Sequence, residues 1–379
     1  MNARVTMADV AKQAGVHVTT VSLALRNHPS LPVSTRQRLR ELAEKMGYQP
    51  DPALCSLVAY RRGARPRKDK PVIAYVTHWD SRWGWKEAGA HAEFFAGASA
   101  KAGDLGYQIE HFWLGEPGLT HQRMSDILYS RGITGVILAS HRREVDVPLR
   151  FDWSRFSAVK IDVLPHDPEL HHVTNDQRAI VQLAVRRAAA AGYRRIGFVM
   201  HASWDEALDL AWSAGFLAEQ QKLAPADRIP LFRFPDPLPR PDEVIALTEY
   251  YRVPRAPFEK WFREHRPDAL ISKRSFVQPR LDDLGISIPR DLGFVDIFLE
   301  TFDGSTAGVR QNNSTVGAQA VEILVGQLHQ HKFGLPPFPT ATLVEGTWFD
   351  GASLPPRSAA AVATPARPRS TRRQPAGRA

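Results

Sequence analysis

VTMADVAKQAGVHVTTVSLALR, residues 5–26, predicts two short helices joined by a tight turn. The Thr6 side chain can accept the N–H of Asp9 while the Asp9 carboxylate accepts the N–H of Thr6, which is the capping-box pattern of a helix start. That first helix ends before Gly15, because glycine adopts the left-handed conformation of a tight turn without strain. A third helix is predicted over about residues 33–46, where leucine and alanine recur at helical spacing. Two helices, a glycine turn and a supporting helix form the plan of a helix-turn-helix.

From Pro71 onward the sequence alternates short apolar runs with helical segments. Such alternation predicts parallel sheets covered by helices on both faces. Strands are expected at Val72–Val76, Ile109–Trp113, Gly135–Ala139, Ala158–Asp162, Arg195–Met200, Leu231–Phe234, Ala269–Ser272 and Gly293–Ile297. Residues 71–354 exceed what one hydrophobic core usually organises, so we expect two doubly wound lobes rather than one.

The net charge of +9 is unevenly distributed along the 379 residues. Residues 1–70 hold 13 Lys and Arg against 5 Asp and Glu, and residues 355–379 hold 6 Arg and no acid. The intervening segment is therefore acidic, with a net charge of −5. Basic side chains concentrated in the head favour an interaction with nucleic-acid phosphates. The Pro-, Ala- and Arg-rich tail is expected to be disordered, and it has no heptad repeat that would build a coiled coil.

Several classes of protein find no support in the sequence. No run of eighteen apolar residues occurs and the amino terminus lacks a signal-peptide pattern, so we expect no membrane partner and a cytoplasmic location. The single cysteine, Cys55, cannot form an internal disulfide. No Gly-rich phosphate loop, G-x-S-x-G motif or Cys/His zinc pattern is present, and the pair His171-His172 has no further ligand at metal-binding spacing. We therefore expect no enzymatic activity, no catalytic residue, no metal and no cofactor.

The head closely resembles the lac repressor (LacI/GalR) family. The residues that carry this resemblance are Val5-Thr6-Met7-Ala8-Asp9-Val10-Ala11, Ala14-Gly15-Val16, Thr20-Val21-Ser22, Thr35-Arg36, Gly47-Tyr48-Gln49-Pro50 and Ala53-Leu54-Cys55-Ser56-Leu57. A weaker resemblance continues through the core, at Asn175-Asp176, Gly192–Gly197, Pro267-Asp268-Ala269, Gly285 and Pro289–Leu292. The resemblance implies an α/β protein with a small all-α helix-turn-helix head and a two-lobed, periplasmic-binding-protein-like core of two doubly wound parallel sheets.

The resemblance and the composition together divide the chain into four segments. They are a DNA-binding head (1–50), a hinge helix with a basic linker (51–70), an effector-binding and dimerisation core (71–354) and the tail (355–379). Within the core, the amino-terminal lobe is expected at about 71–172 and 307–333, and the carboxyl-terminal lobe at about 173–306 and 334–354.

The resemblance also implies that the second helix of the head lies in the major groove of an operator, where Val18, Thr19 and Leu23 fall at base-reading positions. Leu23 replaces an arginine common in the family, and His17 replaces a common serine cap. The remaining predicted DNA-binding residues either contact or orient the DNA backbone or belong to the hinge. They are Thr6, His17, Thr20, Ser22, Arg26, Leu54 and Leu57. Leu57 falls where the family inserts a leucine into the minor groove, and such an apolar wedge kinks the duplex. Because one head covers only a half-site, we expect a homodimer on a pseudo-palindromic, double-stranded operator.

A small-molecule effector is expected in the cleft between the two lobes, because open α/β sheets bind ligands at the carboxyl ends of their strands. The candidate contacts are Trp79, Trp83, Ser140, Asp162, Trp204, Trp212, Lys273 and Asp296. Sugars are the first candidate class, since their C–H faces pack against indole rings. Trp212, however, replaces an arginine common among family members that bind sugars or purines. An apolar-faced ligand, or an anionic one paired with Lys273 or Arg274, is therefore a rival.

The sequence thus predicts a sequence-specific DNA-binding transcriptional regulator, a repressor controlled by an effector and associated with the nucleoid. Two alternatives stay open. One is a ligand-independent repressor whose pocket is degenerate. The other is a periplasmic-type small-molecule binding protein, which would share the two-lobed core but would carry a signal peptide and no basic helix-turn-helix.

Overall fold

A computed structural model of the chain describes residues 5–25, 30–46, 48, 70–142, 146–234 and 253–357. The predicted hinge helix, most of the basic linker and the tail from residue 358 lie outside the described residues. The predicted DNA-binding residues Arg26, Leu54 and Leu57 also lie outside them.

The described helices and strands follow one another in the alternating order that the sequence predicted. The helices are α1 (Met7–Ala14), α2 (Val18–Leu25), α3 (Val33–Lys45), α4 (Gly89–Asp104), α5 (His121–Ser130), α6 (Gln177–Ala190), α7 (Ala202–Ala207), α8 (Ala211–Gln220), α9 (Arg255–His265), α10 (Arg274–Asp283) and α11 (Asn313–His329). The strands are β1 (Val72–His78), β2 (Gln108–Trp113), β3 (Gly135–His141), β4 (Ser157–Ile161), β5 (His172–Asn175), β6 (Ile196–His201), β7 (Phe232–Phe234), β8 (Ala269–Ser272), β9 (Gly293–Asp296), β10 (Ala307–Arg310), β11 (Ala341–Val344) and β12 (Thr347–Phe349).

The head is a three-helix unit with its own small core, formed by Val10, Ala11, Val21 and Ala43. Helix α1 begins with the predicted capping box: the Asp9 N–H donates to Thr6 Oγ1, and the Thr6 N–H donates to Asp9 Oδ2 at 2.8 Å. The helix ends at Gly15, whose φ of 67° is left-handed. The predicted helix-turn-helix is therefore confirmed.

The chain divides into two compact units, residues 1–176 with 311–346 and residues 177–310 with 347–379. The first contains a sheet of order β11-β5-β4-β3-β1-β2 in which each pair of neighbours is parallel. Along β1, Ile73 and Tyr75 join one apolar cluster, whereas Ala74 and Val76 join a second. Since alternate residues of a strand point to opposite faces, the sheet is buried on both sides, as the doubly wound prediction required.

Helices α4 and α11 cover one face of this first sheet and approach each other closely. A Cβ placed on Gly97 of α4 would lie 1.9 Å from the Ser314 carbonyl oxygen, and one on Gly317 of α11 would lie 2.0 Å from the Phe94 carbonyl oxygen. Glycine at both positions is therefore what allows the two helix backbones to touch.

The second unit contains a sheet of order β12-β10-β9-β8-β6-β7. Its strands are parallel except for β12, which runs antiparallel to β10. One continuous apolar cluster, built around Phe198, Phe216, Phe258 and Phe294, joins this sheet to its helices. Two parallel-dominated sheets with helices on their faces confirm the predicted fold class.

The crossovers between the units differ from the predicted lobe boundaries. Strand β10 pairs with β9 of the second sheet although residues 307–310 were assigned to the first lobe, and β11 pairs with β5 of the first sheet although 334–346 were assigned to the second. The sequence missed these strands because each is short, and Ala341 and Leu343 of β11 are exposed. No continuous apolar run marks such an edge strand.

The start of the predicted disordered tail is also corrected. The Arg357 N–H donates to the Ala191 carbonyl at 2.8 Å, and the Tyr193 hydroxyl donates to the Pro355 carbonyl at 3.0 Å. Residues 355–357 are therefore fixed on the second unit by hydrogen bonds that a composition argument does not consider.

Candidate DNA-binding and effector-binding sites

Helix α2 presents an exposed first turn and a buried opposite face. Val18 is 37% exposed and Thr19 is also exposed, whereas Val21 and Ala24 are buried. Thr20, Ser22 and Leu23 are half-buried along the flank of the helix. In a helix-turn-helix the amino-terminal residues of the second helix contact base edges. Of the described candidates, Val18 and Thr19 thus lie on the exposed first turn of α2.

The two helix starts of the head are capped by different chemistry. At α1 the hydrogen bonds from Thr6 hold the pKa of the Asp9 carboxyl below its usual value. At α2 the residue in the cap position is His17, whose Nδ1 accepts the Thr19 N–H at 3.3 Å and lies 2.9 Å from Thr19 Oγ1. A histidine ring therefore accepts the backbone N–H that a capping hydroxyl commonly accepts at a helix start.

The first sheet carries a group of polar side chains at the carboxyl ends of its strands. Ser140 is the residue before the last in β3 and Asp162 follows β4, and both backbones are left-handed, with φ of 54° and 64°. The Tyr75 hydroxyl and Ser140 Oγ are buried side by side, and Thr174 donates to Asp162 Oδ1 at 2.6 Å. Burial raises the pKa of Asp162. Left-handed non-glycine residues are rare and concentrate at ligand sites.

The loop after β1, which contains Trp79, Trp83 and Trp85, lies beside this group and is largely packed onto its own unit. The Trp113 indole N–H donates to the Trp79 carbonyl at 2.9 Å, and Trp85 is fully buried. Trp83, by contrast, is 49% exposed, with its ring centroid 4.6 Å from that of His111. The Lys86 ammonium lies 4.1 Å from the Trp83 ring centroid. Of the loop tryptophans, Trp83 thus offers the largest exposed aromatic face.

The second sheet carries an aromatic group at the carboxyl ends of its strands. Trp204 follows β6 and packs against Phe276 and Phe298, with ring centroids 5.4 and 5.8 Å apart. The Lys273 ammonium lies 5.4 Å from the Phe298 ring and 3.5 Å from a Glu300 oxygen. Both Trp204 and Lys273 are half-buried, so each leaves part of its side chain accessible.

Two further effector candidates, Asp296 and Trp212, form hydrogen bonds within the second unit. The Asp296 carboxylate accepts the Phe298 N–H at 2.7 Å and the Arg274 N–H at 3.0 Å, which shapes the loops after β8 and β9. Trp212 is only 3% exposed, and its indole N–H donates to Gln177 Oε1 at 2.7 Å. The structure therefore places Trp212 in the hydrophobic core, where its ring centroid also lies 5.5 Å from that of Phe298.

Sequence reasoning missed three histidines that line the polar end of the first sheet. Burial lowers the pKa of His91 to about 4 and, together with Arg82 and Lys86, lowers that of His111 to about 4. Burial, with His78 nearby, lowers the pKa of His141 to about 3. Single histidines in an apolar context give no sequence signal, because their neighbours come from other strands and helices.

Because these histidines have lowered pKa values, we expect the first unit to lose stability in acid. Each ring stays neutral in the folded state but takes up a proton near pH 6.5 once the chain is unfolded. Its contribution to the free energy of unfolding is therefore complete above pH 6.5 and declines as the pH falls toward about 4. We expect a lower urea midpoint at pH 5 than at pH 8, and a smaller difference in His91→Gln and His141→Gln. Comparing each variant with the wild type at pH 8 isolates the packing change. An identical pH dependence in wild type and variants would contradict the prediction.

Among the described residues, no group of three His, Cys, Asp or Glu side chains is arranged to hold a metal ion. Likewise, no helix of the described ranges is long and apolar enough to cross a membrane.

These features define a class: a helix-turn-helix head joined to an α/β core with two parallel-dominated sheets. Residues 6–51 match the family model described as bacterial regulatory proteins, lacI family. The resemblance of the head to this family, which its sequence predicted, is confirmed.

Curated relatives are transcriptional regulators of the helix-turn-helix type. The chain is 24% identical over 203 residues to the HTH-type transcriptional regulator reg1 of Streptomyces lividans, covering 51% of this chain and 53% of reg1. It is 25% identical over 197 residues to the regulator IpsA of Corynebacterium glutamicum, covering 51% of this chain and 52% of IpsA. The chain spans about half the length of the curated relatives that it matches.

Solved structures share the fold over most of the chain. The transcriptional regulator CelR in complex with cellobiose has a TM-score of 0.55 at 17% identity, covering 92% of this chain and 100% of that chain. The Lac repressor dimer bound to operator and an anti-inducer has a TM-score of 0.51 at 16% identity, covering 93% of this chain and 100% of that chain. At such identities the likeness establishes the fold alone.

Proposed function

We propose that this chain is a sequence-specific DNA-binding transcriptional repressor whose core binds a small-molecule effector. The observation that carries the proposal is the lacI-family head, in which α2 has an exposed first turn and a buried opposite face. Several phosphates neutralised by the basic head would supply affinity, and the first turn of α2 would supply sequence preference.

Two copies are needed for a two-fold operator, so the functional species is a homodimer on a pseudo-palindrome. The operator-bound Lac repressor dimer, which shares the fold, supports this arrangement. The hinge and its Leu57 wedge stay predictions, because they lie outside the described residues.

A pair of substitutions in α2 tests the proposal. Thr19→Val removes a hydroxyl from the exposed first turn and should change the preferred operator sequence. Ser22→Ala removes a hydroxyl expected to orient the helix on a phosphate, and should weaken all duplexes alike by roughly five- to tenfold. Competition binding on operator and on single-base variants of it distinguishes the two patterns. Equal loss on every duplex for Thr19→Val would contradict base reading by α2.

The polar and aromatic groups at the carboxyl ends of the strands support an effector of the sugar class. Trp83 and Trp204 offer aromatic surface, while Ser140, Asp162 and Lys273 offer hydrogen-bonding groups. Hydroxyl-rich ligands use both kinds of contact. Cellobiose bound to CelR and glucose bound to a LacI-family regulator of Weissella paramesenteroides support the same class.

A ligand-independent repressor is the second candidate, favoured by one observation. Trp212 and Asp296 hydrogen-bond within their own unit, so two of the predicted contacts have little to give a ligand. Thermal unfolding of the full chain against a panel of sugars, nucleosides and organic anions separates the candidates. A ligand that raises the unfolding temperature and alters operator affinity supports a sensor, and no response across the panel supports the ligand-independent repressor.

A further inference from the structure

The first turn of α2 contains a side-chain arrangement that bears on which base the head prefers. His17 Nδ1 lies 3.3 Å from the Thr19 backbone nitrogen and 2.9 Å from Thr19 Oγ1. Both side chains are exposed, and Thr19 is the second residue of α2. The contacts therefore lie on the part of the helix that meets base edges in a helix-turn-helix.

The backbone contact fixes the direction of the side-chain contact. A peptide N–H can only donate, so His17 Nδ1 accepts it and carries no proton. The Thr19 hydroxyl, which shares the same nitrogen, must then donate its own proton to Nδ1. Its outward side retains only oxygen lone pairs, so Thr19 faces the solvent as a hydrogen-bond acceptor.

We propose that His17 sets the hydrogen-bonding polarity of Thr19, and that α2 therefore selects a base with a major-groove amino group at the position that Thr19 contacts. Adenine offers N6–H and cytosine offers N4–H at that edge, whereas guanine O6 and thymine O4 would oppose the oxygen lone pairs. His17 is a positioning residue in this scheme, since it acts on the base through Thr19. The inference rests on the proposed function, because it needs a head that reads DNA.

The contrast with serine explains why the histidine matters. A serine cap can also accept a backbone N–H, but its short hydroxyl both donates and accepts. It would leave a following threonine free to rotate its O–H toward either kind of base edge. An imidazole with an unprotonated Nδ1 removes that freedom.

The test compares base preference in the full chain and three variants. Selection from randomised duplexes first yields the operator of the wild type, and Thr19→Val identifies the base pair whose preference depends on the Thr19 hydroxyl. At that pair the wild type should prefer adenine or cytosine by about tenfold, the effect of one buried hydrogen bond of the wrong polarity. His17→Ala should reduce this preference toward unity. His17→Asn should restore it, because its amide oxygen caps the helix and accepts the Thr19 proton in the same way.

Loss of a cap also weakens the head as a whole, and Thr6→Ala is the matched control for that effect. It removes the cap of α1 without touching α2, so it should lower affinity for every duplex while preserving the preference at the Thr19 pair. The inference is overturned if the wild type prefers guanine or thymine there, or if His17→Ala keeps the full preference. If His17→Ala fails to fold, loss of the preference in the folded His17→Asn variant overturns it equally. Failure to select any operator would instead refute the proposed function.

Discussion

Trp212→Arg should unfold the second unit or destabilise it by more than about 4 kcal/mol. Trp212 is 3% exposed, donates its indole N–H to Gln177 and packs on Phe298. Replacing a buried tryptophan leaves an unfilled volume, and the guanidinium adds a charge where water is excluded. Urea unfolding of the full chain, followed by tryptophan fluorescence and circular dichroism, measures the change.

The same substitution at Trp204 is the matched control. Trp204 is half-buried in α7, the short helix that follows β6, so Trp204→Arg leaves the new charge accessible to water and should cost much less stability. Should Trp212→Arg instead unfold at the wild-type urea concentration, the indole would have to lie at an accessible surface, as the sequence alone suggested.

Raising the salt concentration from about 50 to about 200 mM should weaken operator binding by about 10³-fold or more. Each head has exposed basic side chains on α1 and α3, and the chain up to residue 70 carries a net charge of +8. A dimer that neutralises six or more phosphates releases roughly as many counterions, and the affinity falls steeply with salt for that reason. Fluorescence anisotropy on a labelled operator duplex gives the slope directly.

The Ser22→Ala and Thr19→Val variants show, in the same titration, whether uncharged contacts of α2 contribute to the salt dependence. Neither substitution removes a charge, so both should keep the wild-type slope while losing affinity. Lys12→Gln removes an exposed cation from the last turn of α1 in each of the two heads of a dimer, so it should flatten the slope by about two if Lys12 contacts a phosphate. A wild-type slope near zero would contradict binding through the basic head.

Local sequence chemistry predicted the head well. The Thr6–Asp9 capping box and the left-handed Gly15 are fixed by neighbours a few residues apart, and both occur as expected. The long buried strands were predicted for a similar reason, since β1 and β3 are continuous apolar runs. Short strands such as β11 and β12 escaped prediction, because their pairing partners are distant in sequence and their side chains are partly exposed.

The candidate effector residues were predicted less accurately, because the position of a residue along the chain does not determine how deeply its side chain is buried. Ser140 and Asp162 were predicted because they lie near the ends of predicted strands. Their left-handed backbone conformation is known only from the structure. The hydrogen-bond partner of the buried Trp212 indole is Gln177, which lies 35 residues earlier. Likewise, the sequence marked His17 as a departure from serine, but its acceptor role toward Thr19 follows only from atomic positions.

The central claim is that the full chain recognises a particular DNA sequence. Binding at about 150 mM salt should be measured on a duplex selected from a random library and on scrambled duplexes of the same composition. A sequence-specific regulator should select a two-fold pseudo-palindrome and bind it at least about 10³-fold more tightly than the scrambled duplexes. Equal affinity for the selected and the scrambled duplexes would contradict it.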